Sequence, residues 1–477
     1  MAGIGFELKK LFNSSTIFSN FKAYGYSTIV TVGPMFLCII MILVTRYLLK
    51  WIGAPSGEIE LFMSASQYAF IFSQIITGGF TFSISRYVAD QTYLNKNEYI
   101  LSSMYGLISI CVMLGGVVAF IFYFDSPLDF AFKLSSFLFF ICLIIIWVQA
   151  MYVSALKDYI KIVRSFIVGV LISTILILIS VILFKFKTAT AIFICLDVGF
   201  FIMVLQFSKT IRDYFPVNNQ LYFHFLIYLE KHPYLFWGGY LFTIGLYSHL
   251  IMVWFTKYQV VIKDTFYIAP FYDVPVFFSY LTVLPSMILF MVSVETNFYK
   301  SHKLYYHRVI HGASLKDILN AKKKLFKVVS LELTFIAEIQ LFVVITSIAI
   351  GVQFFPEIGM TPNQIHIFTV LTLGNLFFIL MNTIVIMMLY FDAQKITFSC
   401  LALFSVSSIT LVGVGIVHNI YGFPMFISSF LAFSLAFYLL RRILNNIDYN
   451  TYCTQPIIYF EQETKIEAFL KKLKHHS

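Results

Sequence analysis

Apolar residues run through this chain in long unbroken blocks, and each block has the length a bilayer demands. A hydrocarbon core about 30 Å thick needs about 20 mostly apolar residues per crossing helix. Twelve blocks meet that requirement, at 26–50, 61–86, 99–124, 130–154, 162–184, 188–211, 234–256, 267–294, 328–354, 364–391, 396–418 and 422–440. They are continuously apolar, whereas strands of a spanning barrel would alternate, so strands are not expected. Only Lys185-Phe186-Lys187 parts the fifth block from the sixth, and a few residues part the eleventh from the twelfth, which predicts tight hairpins there. The predicted fold class is all-α integral membrane, with about twelve transmembrane helices.

Composition excludes a soluble alternative. Of 477 residues, 60% are hydrophobic and 12% charged, against roughly 25% charged in a globular protein. A net charge of +10 would raise nucleic-acid binding in a soluble chain, but here its distribution explains it. With the N-terminus in the cytoplasm, 26 of the 33 Lys and Arg fall on inside segments or inner helix ends, as the positive-inside rule requires. Both termini are therefore expected in the cytoplasm, and no nucleic-acid partner is expected. The segment 212–233 divides the chain into an N-terminal six-helix part (1–211, opening on an amphipathic interfacial stretch) and a C-terminal one (234–440). A cytoplasmic tail follows at 441–477, and a basic loop at 295–327 is the other sizeable extramembrane piece. No cleavable signal peptide is read at the start, which lacks a small-residue cleavage site before the first apolar run.

Catalytic and metal signatures are missing. No phosphate-binding GxxxxGK[ST], HExxH or GxSxG occurs. The six cysteines form no CxxC pair and read as buried thiols. His307 and His311 lie four apart near His302, with no carboxylate or Cys to complete a metal set; a solvated face is the expectation, and neither metal nor cofactor is expected. Glu58 and Glu60 are the only hint of a membrane glycosyltransferase, and without a sizeable outer domain no enzyme is expected.

The informative residues are charges inside the spans, where a central Asp or Lys costs about 3 kcal/mol unless it meets protein, water or a counter-charge. Asp197 falls in the sixth span, Asp273 in the eighth, Glu332 and Glu338 in the inner half of the ninth, and Arg46 in the outer third of the first. Asp197, Asp273 and Glu338 read as lining a hydrated passage or as members of a structural ion pair or hydrogen-bond knot. Arg46 is the intramembrane cation at the depth of Asp273, and Glu332 reads as the partner of nearby Lys327. Asp273 stands between Pro270 and Pro275, with Pro285 further on, so the eighth span should be kinked where backbone donors are missing; discontinuous helices of this kind build transport sites. Gly33-Pro34 marks a similar bend in the first span. Asn375 and Asn382 share one face of the tenth span, and Gln67 and Gln74 one face of the second, which makes polar stripes suited to a passage or to interhelical hydrogen bonds. Gly78-Gly79 and Gly115-Gly116 read as close helix contacts. Tyr247, Tyr272 and Tyr280 are candidates for stacking on sugar rings, or members of an interfacial belt. Lys322, Lys323 and Lys324 concentrate charge in the basic loop, where anionic lipid or a protein partner would dock.

The opening MAGIGFEL, the amphipathic stretch after it and Gly33-Pro34 in the first span together resemble the PelG family, the membrane transporters of Pel exopolysaccharide systems. Size, twelve-span layout and the basic loop after the eighth span extend the resemblance over the full length. It implies a member of the multidrug/oligosaccharidyl-lipid/polysaccharide flippase superfamily, with two six-helix bundles around a central cavity that rock between inward and outward states. It further implies a bacterial inner-membrane location and export of an amino-sugar-rich polymer. The implied partners are a cytosolic Pel glycosyltransferase and other Pel membrane subunits. It assigns no substrate residues. The alternative reading is an efflux antiporter for drugs or organic cations, in which Asp273 or Asp197 would be a proton or sodium site.

The charge distribution makes one testable statement. Single cysteines in 52–60 and 355–363 should react with an impermeant thiol reagent in intact cells, and those in 300–325 only after permeabilisation. The opposite pattern would overturn the orientation.

Overall fold

The computed structural model describes residues 33–155, 159–453 and 467. The N-terminal motif, the amphipathic stretch and most of the tail lie outside them. Within the described residues each long apolar block is helical, two of them as a broken pair of helices, and short helices occur between and after them. In chain order these are α1 (Gly33–Trp51), α2 (Ser56–Gly78), α3 (Phe80–Tyr93), α4 (Glu98–Tyr123), α5 (Phe130–Ala155), α6 (Tyr159–Leu178, closing in a π turn Ile179–Leu183), α7 (Ala189–Tyr214), the short α8 (Phe225–Lys231) and α9 (Pro233–Trp254). After a two-stranded hairpin come α10 (Pro270–Leu281), α11 (Leu284–Ser293), a π segment Val294–Phe298, α12 (Tyr299–Ile310), α13 (Leu315–Phe354), α14 (Pro362–Tyr390), α15 (Gln394–Val417), α16 (Phe423–Asn445) and the short α17 (Ile447–Tyr452). Among the described residues eleven helices are long and apolar enough to cross a membrane, and the bent pair α2–α3, if one span, makes up to twelve. The chain is a multi-span, all-α membrane protein.

Three local features depart from the expected pattern. Strands were not expected, yet β1 (Val260–Ile262) and β2 (Phe266–Ile268) pair antiparallel in the connection after α9; the six residues that pair are too few to cross a bilayer, so the test for alternating spans could not detect them. The basic stretch 295–327 is not a loop. It is α12 and the first turns of α13, joined at a turn that Ser314 caps by accepting from the Asp317 amide. At 1.5 Å per residue α13 is about 60 Å long, twice the hydrocarbon thickness, so one end must project from the membrane. Finally, the second span bends by 51° between α2 and α3. α9 crosses there at close quarters, since a Cβ on Gly239 would lie 2.6 Å from the Gly78 carbonyl oxygen. Gly78, Gly79 and Gly115 serve close packing as expected, whereas Gly116 faces open space.

By packing, the chain forms two compact units: 33–247 with 254–269, and 248–253 with 270–453. The first holds α5 and α7 face to face around an aromatic core, in which Phe139 meets Phe193 and Phe200 at 5.5 and 5.0 Å between ring centres. The second is built on α14, the most enclosed of the spans, which starts at a capping box of Thr361 and Gln364. A division into six plus six helices about 212–233 is a separate reading, and we retain it as a proposal.

The eighth span is broken, as its prolines predict, and the break lies at Thr282–Val283. Pro270 opens α10, where a missing N–H costs nothing, and Pro285 sits in the first turn of α11 for the same reason. Pro275 is the one inside a helix. At the break the ladder tightens: Thr282 N–H donates to Ser279 O at 3.2 Å and Val283 N–H to Tyr280 O at 3.1 Å. Carbonyls there also take hydrogen bonds from neighbouring helices. Asn375 Nδ2 on α14 donates to Ser279 O at 2.7 Å, and Gln340 Nε2 on α13 donates to Thr282 O at 3.3 Å. Both side chains are almost wholly buried. Asn375→Ala should therefore destabilise the purified protein by about 0.5–1.5 kcal/mol, read as a lower melting temperature in detergent. Asn382→Ala, at a half-buried position, should change it by less than about 0.5 kcal/mol; equal losses at the two positions would contradict the assignment.

Candidate functional site

The second unit carries a buried polar chain beside the break. His249 on α9 is fully buried. Its Nδ1 lies 2.9 Å from Tyr272 Oη and its Nε2 2.8 Å from Tyr280 Oη. The two tyrosines stand eight residues apart in sequence, about two turns along α10, so one imidazole clamps one face of that helix. Next to it Ser248 and Ser408 share a hydrogen bond of 3.2 Å between α9 and α15. Sequence reasoning did not single out His249, because one His in an apolar run carries no spacing signal. Tyr272 and Tyr280 had been candidates for stacking on sugars; the structure uses their hydroxyls to hold His249.

Asp273 follows Tyr272 in the first turn of α10 and is half-buried. A carboxylate in that turn is stabilised by the helix dipole and the unpaired N–H groups of the helix start. The position is thus less costly than mid-span burial. Arg46 on α1 is exposed and makes no ion pair among the described residues. Pro34 lies at the start of the described part of that span, so the expected bend falls at its border.

Asp197 is half-buried on α7, and its Oδ1 is buried without a hydrogen-bond partner among the described residues. Two residues on, Gly199 packs against α6 so tightly that a Cβ would lie 2.0 Å from Ser173 Oγ. Gln149 spans α5 and α7, donating to Ser208 Oγ at 2.7 Å. Gln74 accepts from the Tyr247 hydroxyl.

Glu332 and Glu338 line one groove of about 420 Å³ with Ser293, Asn297, Leu289 and Phe335. The expected Glu332–Lys327 pair does not form. Five residues apart on a helix, the two point different ways, and Glu332 Oε1 instead accepts from Asn297 Nδ2 at 2.6 Å. Glu338 is exposed and makes no ion pair among the described residues.

The basic patch divides in two. Lys322 bonds Asp448 Oδ2, and Tyr305 donates to Asp448 Oδ1 at 3.1 Å, so Asp448 ties α13 and α12 to α17. Lys323 and Lys324 are exposed and are the ones open to a lipid or protein partner. His302 turns inward against Tyr390 O at 3.1 Å, and burial pushes its pKa down to about 4. His307 and His311 lie against each other, ring centres 4.2 Å apart and planes tilted by 49°. Of Glu58 and Glu60, the pair that hinted at an enzyme, Glu60 is exposed and Glu58 is occupied: its Oε2 accepts from the Ala189 amide at the start of α7 at 2.8 Å, and its Oε1 lies 3.9 Å from Lys263 Nζ.

A family model described as "PelG: Putative exopolysaccharide Exporter (EPS-E)" matches residues 1–452. No curated protein matches the chain in sequence. Among solved structures it is similar to a MOP superfamily transporter from Pyrococcus furiosus, at 11% identity and a TM-score of 0.56 over 90% of this chain and 96% of that one. An outward-facing multidrug resistance MATE family transporter of the MOP superfamily matches at 11% identity and a TM-score of 0.60, over 89% and 96%. The Vibrio cholerae MATE transporter VcmN matches at 10% identity and a TM-score of 0.57, over 94% and 99%. At such identities the likeness is one of fold.

Proposed function

We propose that this chain, which belongs to the PelG exopolysaccharide exporter family, carries an amino-sugar polymer made in the bacterial cytoplasm outward across the inner membrane. The observation that carries the reading is the extent of the family match, residues 1–452 of 477, on a chain folded like MOP transporters. A cytosolic glycosyltransferase and further membrane subunits of the same export system would supply the polymer. Lys323 and Lys324, exposed on α13, are the places where that enzyme or anionic lipid would dock.

The geometry supports transport by alternating access. A helix already broken at 282–283, with its carbonyls held by side chains of α13 and α14, can change its bend by exchanging hydrogen bonds rather than by exposing backbone to lipid. The clamp of His249 on Tyr272 and Tyr280 fixes the half of that helix bearing Asp273. Asp273, and Asp197 with its unpartnered oxygen, are the carboxylates that would offset the charge of a cationic polymer where the dielectric constant is low. A drug-efflux role is the runner-up, and it has fold likeness alone behind it.

Asp273→Asn keeps the volume and polarity of the side chain and removes its charge. In cells lacking the native gene, the variant should reach normal membrane levels while secreted polymer falls about tenfold, the equivalent of about 1.4 kcal/mol in the limiting step. Normal levels with normal secretion would remove Asp273 from the passage.

A further inference from the structure

The groove between α11 and α13 has chemistry that neither the fold nor the polar chain around His249 requires. We infer that it binds the ammonium group of an aminated, hydroxylated ligand, one amino-sugar unit of a chain. Glu338 and Glu332 act as its carboxylates, and Ser293 and Asn297 as its hydroxyl partners. The ligand class rests on the exporter reading above; the location rests on four observations of its own.

First, the groove carries two carboxylates and no ion pair to either among the described residues. Within a spanning helix, carboxylates without a counter-charge are expensive, and a bound cation would relieve the cost of both. Glu332 is already oriented by Asn297, which takes up one of its oxygens and leaves the other available. Second, Ser293 is 4% exposed, and its Oγ has no hydrogen-bond partner among the described residues although it lines the groove. A buried hydroxyl of this kind costs free energy until something bonds to it, and a sugar hydroxyl supplies both donor and acceptor. Third, the helix widens into a π segment at Val294–Phe298, directly after Ser293. Such turns are frequent at functional sites, and this one carries Asn297 to within reach of Glu332. Fourth, Leu289 and Phe335 give the groove an apolar wall, and its volume of about 420 Å³ is that of a small-molecule site. Two carboxylates beside an apolar wall reject an anion, and they favour an amine over its uncharged N-acetylated form.

The test is calorimetric titration of the full-length protein in lipid nanodiscs with two probes, the fully deacetylated glucosamine trimer and the N-acetylglucosamine trimer. The deacetylated trimer should bind at least about tenfold more tightly, the worth of one charge-assisted hydrogen bond. Glu338→Gln and Glu332→Gln should each abolish that preference, leaving the weaker N-acetylated binding as it was. Ser293→Ala should weaken both trimers equally. Glu338 is exposed, so its variant should melt as the wild type does. Wild-type binding of the deacetylated trimer that both Gln variants retain would refute the groove while leaving the exporter reading standing. Equal affinity for the two trimers, no binding of either, or displacement of the amine by magnesium ion alone at equal concentration would refute the ammonium assignment. The exporter reading fails separately, by undiminished polymer secretion from cells without the chain.

Discussion

In the hydrocarbon of a bilayer no water is at hand, so each backbone carbonyl must find a donor within the protein. That constraint governs the eighth span. A helix with Pro285 just past its middle cannot run its hydrogen bonds straight through, and the chain answers with a tightened turn at Thr282–Val283. The carbonyls of Ser279 and Thr282 are then met by Asn375 and Gln340. Two buried amides of the second unit, Asn375 and Gln340, are thus spent on this break. α14 is deeply enclosed and yet carries an amide side chain, which adds a donor to the Ser279 carbonyl that Thr282 also bonds.

The same accounting sorts the remaining polar residues into two groups. Gln74, Lys322 and Glu58 have their partners and hold helices or connections together, and Gln149 bonds Ser208 through its amide nitrogen while its Oε1 is buried without a partner among the described residues. Asp197, Ser293 and Glu338 have an oxygen or a charge that the described residues leave uncompensated. In a protein that crosses a membrane many times, such groups are the natural places for a polar cargo to touch. A transporter needs both kinds: a satisfied scaffold, and a few unsatisfied groups whose cost the substrate offsets.

The fold was legible in the sequence because the bilayer imposes length and continuity on every span. The twelve apolar blocks and the helices agree to within a few residues at most ends, and Pro270, Pro275 and Pro285 marked the broken span. The break itself was less legible, since which proline interrupts a helix depends on whether it falls in a first turn. The site was legible only in part. Asp273 and Glu338 stood out because charge is rare in a span, but their surroundings did not. Glu332 was paired with Lys327 by closeness in sequence, and the helix turned them apart. Asn375 drew notice as part of a polar stripe, yet its bond runs to Ser279, 96 residues away. His249 passed unnoticed, since its partners Tyr272 and Tyr280 come from another helix and only packing brings them to it.

Membership of an exopolysaccharide exporter family is the basis of the central proposal, that polymer crosses the membrane through this protein. The most direct measurement is the partition of newly made polysaccharide between cytoplasm and medium, in cells that keep an active synthase and either contain or lack this chain. The account predicts that without the chain polymer stays inside or is not elongated, and that restoring the chain returns it to the medium. Secretion that is the same with and without the chain, alongside a loss of organic-cation efflux in the cells that lack it, would contradict the account and make the protein a drug transporter.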